Sequence, residues 1–155
     1  MPQPLTTEEI QTPQSLTTED RLGIFDLFAR YAWAYDCGDA HAYAETFTPD
    51  GALADQNDLR AVGRPAIAEA IKTFFDMRGP DVWQHHNDHL RIQGDGEHCT
   101  IHSYWAVLAH RRSDAGYGVA SLGWYVSRCR KIDGVWLFAE RTFYMDMPKG
   151  LPWKP

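Results

Sequence analysis

Basic side chains are scarce in this chain: 15 Lys and Arg against 21 Asp and Glu leave a net charge of −6. Nucleic acids and anionic membranes are held by clustered Lys and Arg, so neither is an expected partner. Arg128, Arg130 and Lys131 stand together beside a predicted hairpin turn, and the rest are scattered singly or as the pair Arg111-Arg112. Long apolar runs are missing as well. No stretch approaches the roughly 20 residues of a membrane span. The first residues, rich in Thr, Glu and Gln, lack the basic-then-apolar order of a secretion signal. Cys37, Cys99 and Cys129 make an odd set without paired spacing. That usage reads as reduced thiols in a cytoplasmic protein, not as a disulfide frame or a zinc knuckle.

Several chemical motifs are absent too. There is no His-Glu-x-x-His helix and no Gly-x-Ser-x-Gly elbow. The glycines at 116 and 118 lack the strand-to-helix setting of a phosphate loop. Asp55, Asp58 and Glu69 do not have calcium-loop spacing. His85, His89, His98 and His102 fall on adjacent predicted strands, and imidazole suits zinc, but histidines so placed need not converge. No metal and no organic cofactor is expected.

What is present is bulk. In 155 residues, 44% are hydrophobic and 13% aromatic, enough for one globular domain with large side chains to line a cavity. Residues 1–16 are broken by Pro and poor in apolar side chains, so they are expected to form a flexible arm. A single domain is expected over 17–147. A Pro-broken tail over 148–155 carries Trp153, a candidate flap. The pattern predicts a first helix over 18–35, capped by Thr17 or Thr18, with Leu22, Phe25, Phe28, Ala29, Ala32 and Trp33 on its apolar face. A short helix follows, capped by Asp39. Residues 47–51 read as a turn and 52–54 as the start of a strand. A third helix begins after Gly63, with Ile67, Ala68, Ile71, Phe74 and Phe75 buried. Segments 83–93, 98–111, 117–130 and 135–145 then read as strands separated by turns, the strongest at Asp133-Gly134. Helices followed by an antiparallel meander imply an α+β fold.

Asp36 stands where the first helix should stop, two residues before Gly38. A carboxylate there faces the negative end of the helix dipole, a mismatch of roughly 0.3–1 kcal/mol. A histidine is the natural compensating partner. His85 and His110 on later strands are the candidates.

The order helix–helix–strand–helix–meander resembles the SnoaL-like, scytalone-dehydratase-like branch of the nuclear-transport-factor cone fold. The motifs "YDCGD" closing the first helix, "TPDG" entering the first strand and "KIDGVW" turning into the last strand carry the likeness. It covers roughly residues 21–145. The resemblance implies three N-terminal helices packed in a strongly curved, mostly antiparallel, cone-shaped sheet. In scytalone dehydratases a Tyr-Asp pair ends the first helix, a Gln-His pair opens the strand after the third helix, and a second His lies near the end of the next strand. Tyr35 and Asp36, Gln84 and His85, and His110 stand in those places. The similar dehydrochlorinase of chlorinated cyclohexanes keeps the Asp and the first His as its dyad. The Ser and Asn of the dehydratase's next-to-last strand are Gly123 and Tyr125 here, and a second pocket Tyr falls near Asp55. Those departures argue against scytalone as the substrate.

The resemblance therefore implies a cofactor-free lyase acting on a small apolar aromatic or cyclic substrate. Asp36 would orient His85, and His85 would take a proton from carbon. His110 and Tyr35 would handle the leaving group or a carbonyl, as water, halide or formaldehyde departs. Trp33, Trp83, His89, Tyr125 and Tyr144 are the expected pocket residues, in the open end of the cone. An isomerase using the same dyad, or a non-catalytic ligand-binding or assembly subunit, remains open. Each residue also has a plain structural reading: Asp36 as an exposed helix end, His85 as a packed polar residue, His110 as a solvated strand end. A homodimer or homotrimer is expected from the open sheet face of relatives.

Overall fold

The computed structural model describes residues 16–57 and 59–145. The arm expected over 1–16 (Leu16 excepted) and the tail with Trp153 lie outside the described residues. Helix α1 (Thr18–Asp36) starts at a capping box in which the Thr17 hydroxyl accepts from the Asp20 N–H and the Asp20 carboxylate accepts from the Thr17 N–H. At its far end Gly38 takes φ 74°, and a Cβ there would meet the Phe75 ring at 2.6 Å, so only glycine turns this corner. Asp39 caps the short α2 (Ala40–Glu45) by accepting from the Ala42 N–H at 2.9 Å. Then come β1 (Phe47–Asp55), β2 (Arg60–Val62) and α3 (Arg64–Met77). The long strands β3 (Val82–Gly94), β4 (His98–His110), β5 (Tyr117–Ile132) and β6 (Val135–Met145) complete the chain.

The strands form one six-stranded sheet in the order β2-β1-β6-β5-β4-β3. All neighbours are antiparallel except β1 and β6, which run parallel. The helices pack in the curl of this sheet, the α+β arrangement that helices followed by a meander imply. At the β5–β6 hairpin Asp133 and Gly134 both take positive φ, as a tight Asp-Gly turn requires.

Three details depart from expectation. Residues 47–51 belong to β1, which loses register with β6 between Phe47 and Ala52, so the turn residues form an irregularity inside a strand. The short β2 pairs with β1 where no strand is evident from composition. The buried face of α1 is Ile24, Leu27, Phe28, Tyr31, Ala34 and Tyr35, while Leu22, Phe25 and Trp33 are exposed. Apolar residues surround this helix, so periodicity alone offers two faces. The sheet selects the one whose rings meet Phe138: Phe28 at 5.4 Å and Tyr31 at 5.5 Å between centroids. Ile24 and Leu27 are fully buried, each contributing about 1.5–3 kcal/mol.

Asp20 also ties α1 to the last hairpin. Its buried carboxylate accepts from the Lys131 ammonium and from Trp136 Nε1. Lys131 above all, helped by the Thr17 and Trp136 donors and opposed by burial, holds this carboxyl well below its ordinary 3.8. A depressed folded value means the stabilisation is complete above 3.8 and is lost as pH falls through the lower folded value. Asp20→Asn should therefore cost about 1–3 kcal/mol in urea denaturation at neutral pH. It should also flatten the acid decline of the midpoint; equal midpoints for the two proteins at neutral pH would contradict this role.

Candidate active site

Strand parity decides which side chains reach the interior, and two bulges reset it. Along β3, Trp83, His85 and Asn87 share one face. At His89 the ladder gains a residue: Asp88 pairs with Tyr104 but Arg91 with His102. His89 takes φ 55°, a conformation histidine tolerates better than most residues. The bulge turns Leu90 and Ile92 to the side occupied by Trp83 and His85, so both halves of β3 face the helices. On β6, alternation from Trp136 and Phe138 would carry Glu140, Thr142 and Tyr144 inward. Register slips between Cys129–Phe138 and Arg128–Glu140, and Arg141, Phe143 and Met145 turn in instead.

The end of α1 meets the start of β3. His85 Nδ1 lies 2.6 Å from Asp36 Oδ1, and the His85 backbone N–H donates to Asp36 Oδ2 at 3.0 Å. These contacts satisfy a carboxylate that its own helix dipole disfavours. Because an ionised carboxylate only accepts, Nδ1 carries the hydrogen, which in the neutral ring leaves the lone pair on Nε2. The His85 side chain is 9% exposed and that of Asp36 19%. Tyr35 packs its ring 4.1 Å from the His85 ring. Burial, together with the nearby Tyr31 phenol and Asp36 carboxylate and against Arg78, pushes the Tyr35 phenol far above its usual range. Tyr35 is thus a hydrogen-bond donor, not a base.

His85 lines a cavity of about 220 Å³ between helices and sheet. Its lining residues with polar groups include Ser121, Tyr31, Tyr35, Tyr43 and Tyr125, besides the indoles of Trp83 and Trp105. The remaining wall is apolar, with Leu53, Ile71, Phe74, Trp83, Trp105 and Phe143 prominent. An apolar cavity of about 150 Å³ accepts benzene, so this one has room for a molecule of the size of a substituted ring. The exposed side chains of Met77 and Met145 border it.

Of the residues expected from sequence, Asp36, His85, Tyr35, Trp83 and Tyr125 gather here. Four do not. His110 lies at an even position of β4, opposite in parity to Trp105 and Val107, and its ring stacks on Tyr117 at 4.5 Å in a separate groove. His89 is carried outward by its own bulge and sits 5.7 Å from the Tyr104 ring. Tyr144 is turned outward by the β6 bulge and stacks on Trp124 at 5.0 Å. Trp33 is 72% exposed. Two residues from both Tyr31 and Tyr35, it points away from the face those two share at i, i+4 spacing. Tyr31 could have been found by the same spacing. Arg141 could not, since a charged residue in a strand ordinarily faces water. The four histidines at 85, 89, 98 and 102 do not converge, and no set of three metal-ligating side chains gathers among the described residues.

The match to known proteins fits this architecture. The model of the SnoaL-like domain covers residues 16–142. No curated protein matches the chain. Among solved structures, an NTF2-like protein with a cystatin-like fold from Novosphingobium aromaticivorans is 25% identical, with a TM-score of 0.76 over 85% of this chain and 84% of that one. A Catenulispora acidiphila protein solved in complex with S-DNPA is 29% identical, with a TM-score of 0.73 over 81% and 92% of the two chains. A Novosphingobium aromaticivorans protein named as a candidate scytalone dehydratase is 20% identical, with a TM-score of 0.69 over 82% and 84%, and shows a shared fold alone.

The Asp36–His85 geometry has a direct spectroscopic consequence. Ring ¹⁵N shifts should show His85 protonated at Nδ1 and bare at Nε2 in the wild-type protein. Asp36→Asn should erase that preference and lower stability by about 1–3 kcal/mol. A ring found protonated at Nε2 alone would contradict the assigned tautomer.

Proposed function

The chain belongs to the SnoaL-like family, and on that premise we propose that it is a cofactor-independent lyase for a small apolar cyclic or aromatic substrate. The observation that supports the reading is an Asp-held imidazole with a free ring nitrogen, lining an otherwise greasy cavity. The family includes polyketide cyclases and scytalone-dehydratase-like enzymes, chemistry of ring-bearing molecules.

In the leading version, His85 Nε2 takes a proton from a carbon next to a carbonyl. The C–H electron pair becomes an enolate, with the charge on the carbonyl oxygen. The charge on oxygen then re-forms the carbonyl, the former C–H pair becomes a double bond to the next carbon, and the bond from that carbon to its hydroxyl breaks. The hydroxyl departs as water with the proton His85 carries, and the imidazole returns neutral. His110 has no part in this scheme, because the groove it lines is not the cavity. Asp36 stabilises the transient imidazolium and keeps the ring in place. Halide loss follows the same path with a different leaving group. Formaldehyde loss begins instead with the proton of a hydroxymethyl oxygen. An isomerase would return the proton to another carbon, with no change in mass.

Mass spectrometry of the purified protein with cyclic and aryl β-hydroxy ketones should therefore show loss of water. His85→Ala and Asp36→Asn should each lower kcat by about 10²–10⁴-fold. In His85→Ala the backbone N–H that bonds Asp36 survives, so the melting temperature should stay close to that of the wild type. Turnover at the wild-type rate in His85→Ala would sink the base assignment. A variant that merely unfolds would mark His85 as structural.

A further inference from the structure

Arg141 enters the interior with no anion to meet it among the described residues. Its side chain is fully buried. It donates to Ser127 Oγ at 2.9 Å and to Asn87 Oδ1 at 2.8 Å, its Nε has no acceptor, and no carboxylate pairs with it among the described residues. Aromatic faces supply the rest: the guanidinium carbon is 3.6 Å from the Tyr125 ring centroid, 4.2 Å from Tyr31 and 4.6 Å from both Phe28 and Phe138. Rings attract a cation but do not neutralise it, and a buried charge without a counter-charge is costly. Such a charge persists where an anion completes it.

The cavity wall shows where that anion would sit. Tyr31 and Tyr125, the two rings nearest the guanidinium, both line the cavity, and their hydroxyl oxygens are 3.2 Å apart. The Tyr43 hydroxyl also bonds Tyr31, so three hydroxyls carry three hydrogens, and the two bonds between them use two and leave one. Burial keeps the Tyr125 phenol protonated far beyond its usual range, with Tyr31 adding to this and Arg141 opposing it, so it donates and does not ionise first.

We propose that the Tyr31–Tyr125 hydroxyl pair, backed by Arg141, is an oxyanion subsite that takes a ring-borne oxygen of the ligand as its enolate or phenolate. Arg141 is a positioning residue: it acts through Tyr125 and by its field, without touching the ligand. The subsite would hold the oxygen on which charge collects when a proton leaves the adjoining carbon. The inference rests on the cavity being the ligand site, as the lyase reading has it, and not on His85 being the base.

4-Nitrophenol is a suitable probe, because its phenolate absorbs at a longer wavelength than the phenol. Bound to the wild-type protein, its ionisation midpoint should fall by about 1–3 pH units relative to the free probe. Its methyl ether, which cannot ionise, should bind at least about tenfold more weakly at neutral pH. Arg141→Met should abolish the shift and Arg141→Lys should keep part of it. Tyr125→Phe, which retains the ring over the guanidinium, should lose part of it and remains informative should Arg141→Met fail to fold. In His85→Gln the shift should persist. A probe bound only as neutral phenol, or not bound at all, overturns the subsite. So does a shift that vanishes in His85→Gln but survives in Arg141→Met and Tyr125→Phe, since the anion would then pair with the imidazolium. A persistent shift alongside undiminished turnover in His85→Ala would overturn the lyase mechanism and leave the subsite standing.

Discussion

The Asp36 carboxylate sits at the end of a helix that repels it, and the architecture around the cavity follows from how it is satisfied. Its acceptor sites are taken by one residue of β3, through both the backbone N–H and the ring of His85. The double attachment pins the C-terminal end of α1 against the start of β3, at the edge of the sheet. It also chooses the imidazole tautomer, so the contact that holds two elements together sets the orientation of a ring that lines the cavity. Gly38 makes this possible by turning the chain where any side chain would strike Phe75.

The second constraint is the period of a strand. A residue can change sides only if the ladder gains or loses one position. The bulge at His89 lets Trp83, His85 and Ile92 share the interior, although one pair of them is odd and the other even in number. The slip between β5 and β6 brings Arg141 and Phe143 in and sends Tyr144 out. Arg141 then finds Ser127, Asn87 and four aromatic faces in place of water. The cavity is consequently less apolar in its electrostatics than its lining suggests, because a positive charge lies one ring behind the wall.

Much of the fold was legible along the chain. Thr17 with Asp20, Asp39, and the Asp133-Gly134 pair are local devices whose geometry depends on a few neighbouring residues, and they mark helix starts and a hairpin where the structure has them. The Asp36–His85 meeting was legible only through the unfavourable helix-end carboxylate and the likeness to a known family. His110 was misread because its position near a strand end says nothing of which face it takes. Trp33 belongs with Leu22 and Phe25 to the second apolar stripe of α1, which helical spacing also offers and which the sheet leaves exposed.

Residue types and spacing by themselves determined the helices, the meander, the turns and the polar pair that wants a partner, because those depend on short-range sterics and hydrogen bonding. Only the tertiary structure decided which of two apolar faces α1 buries, which histidine reaches the cavity, and that Arg141 lies inside. Each of those depends on a bulge or a curvature set by contacts between strands far apart in the chain, and a single inserted position in a ladder reverses every side chain beyond it.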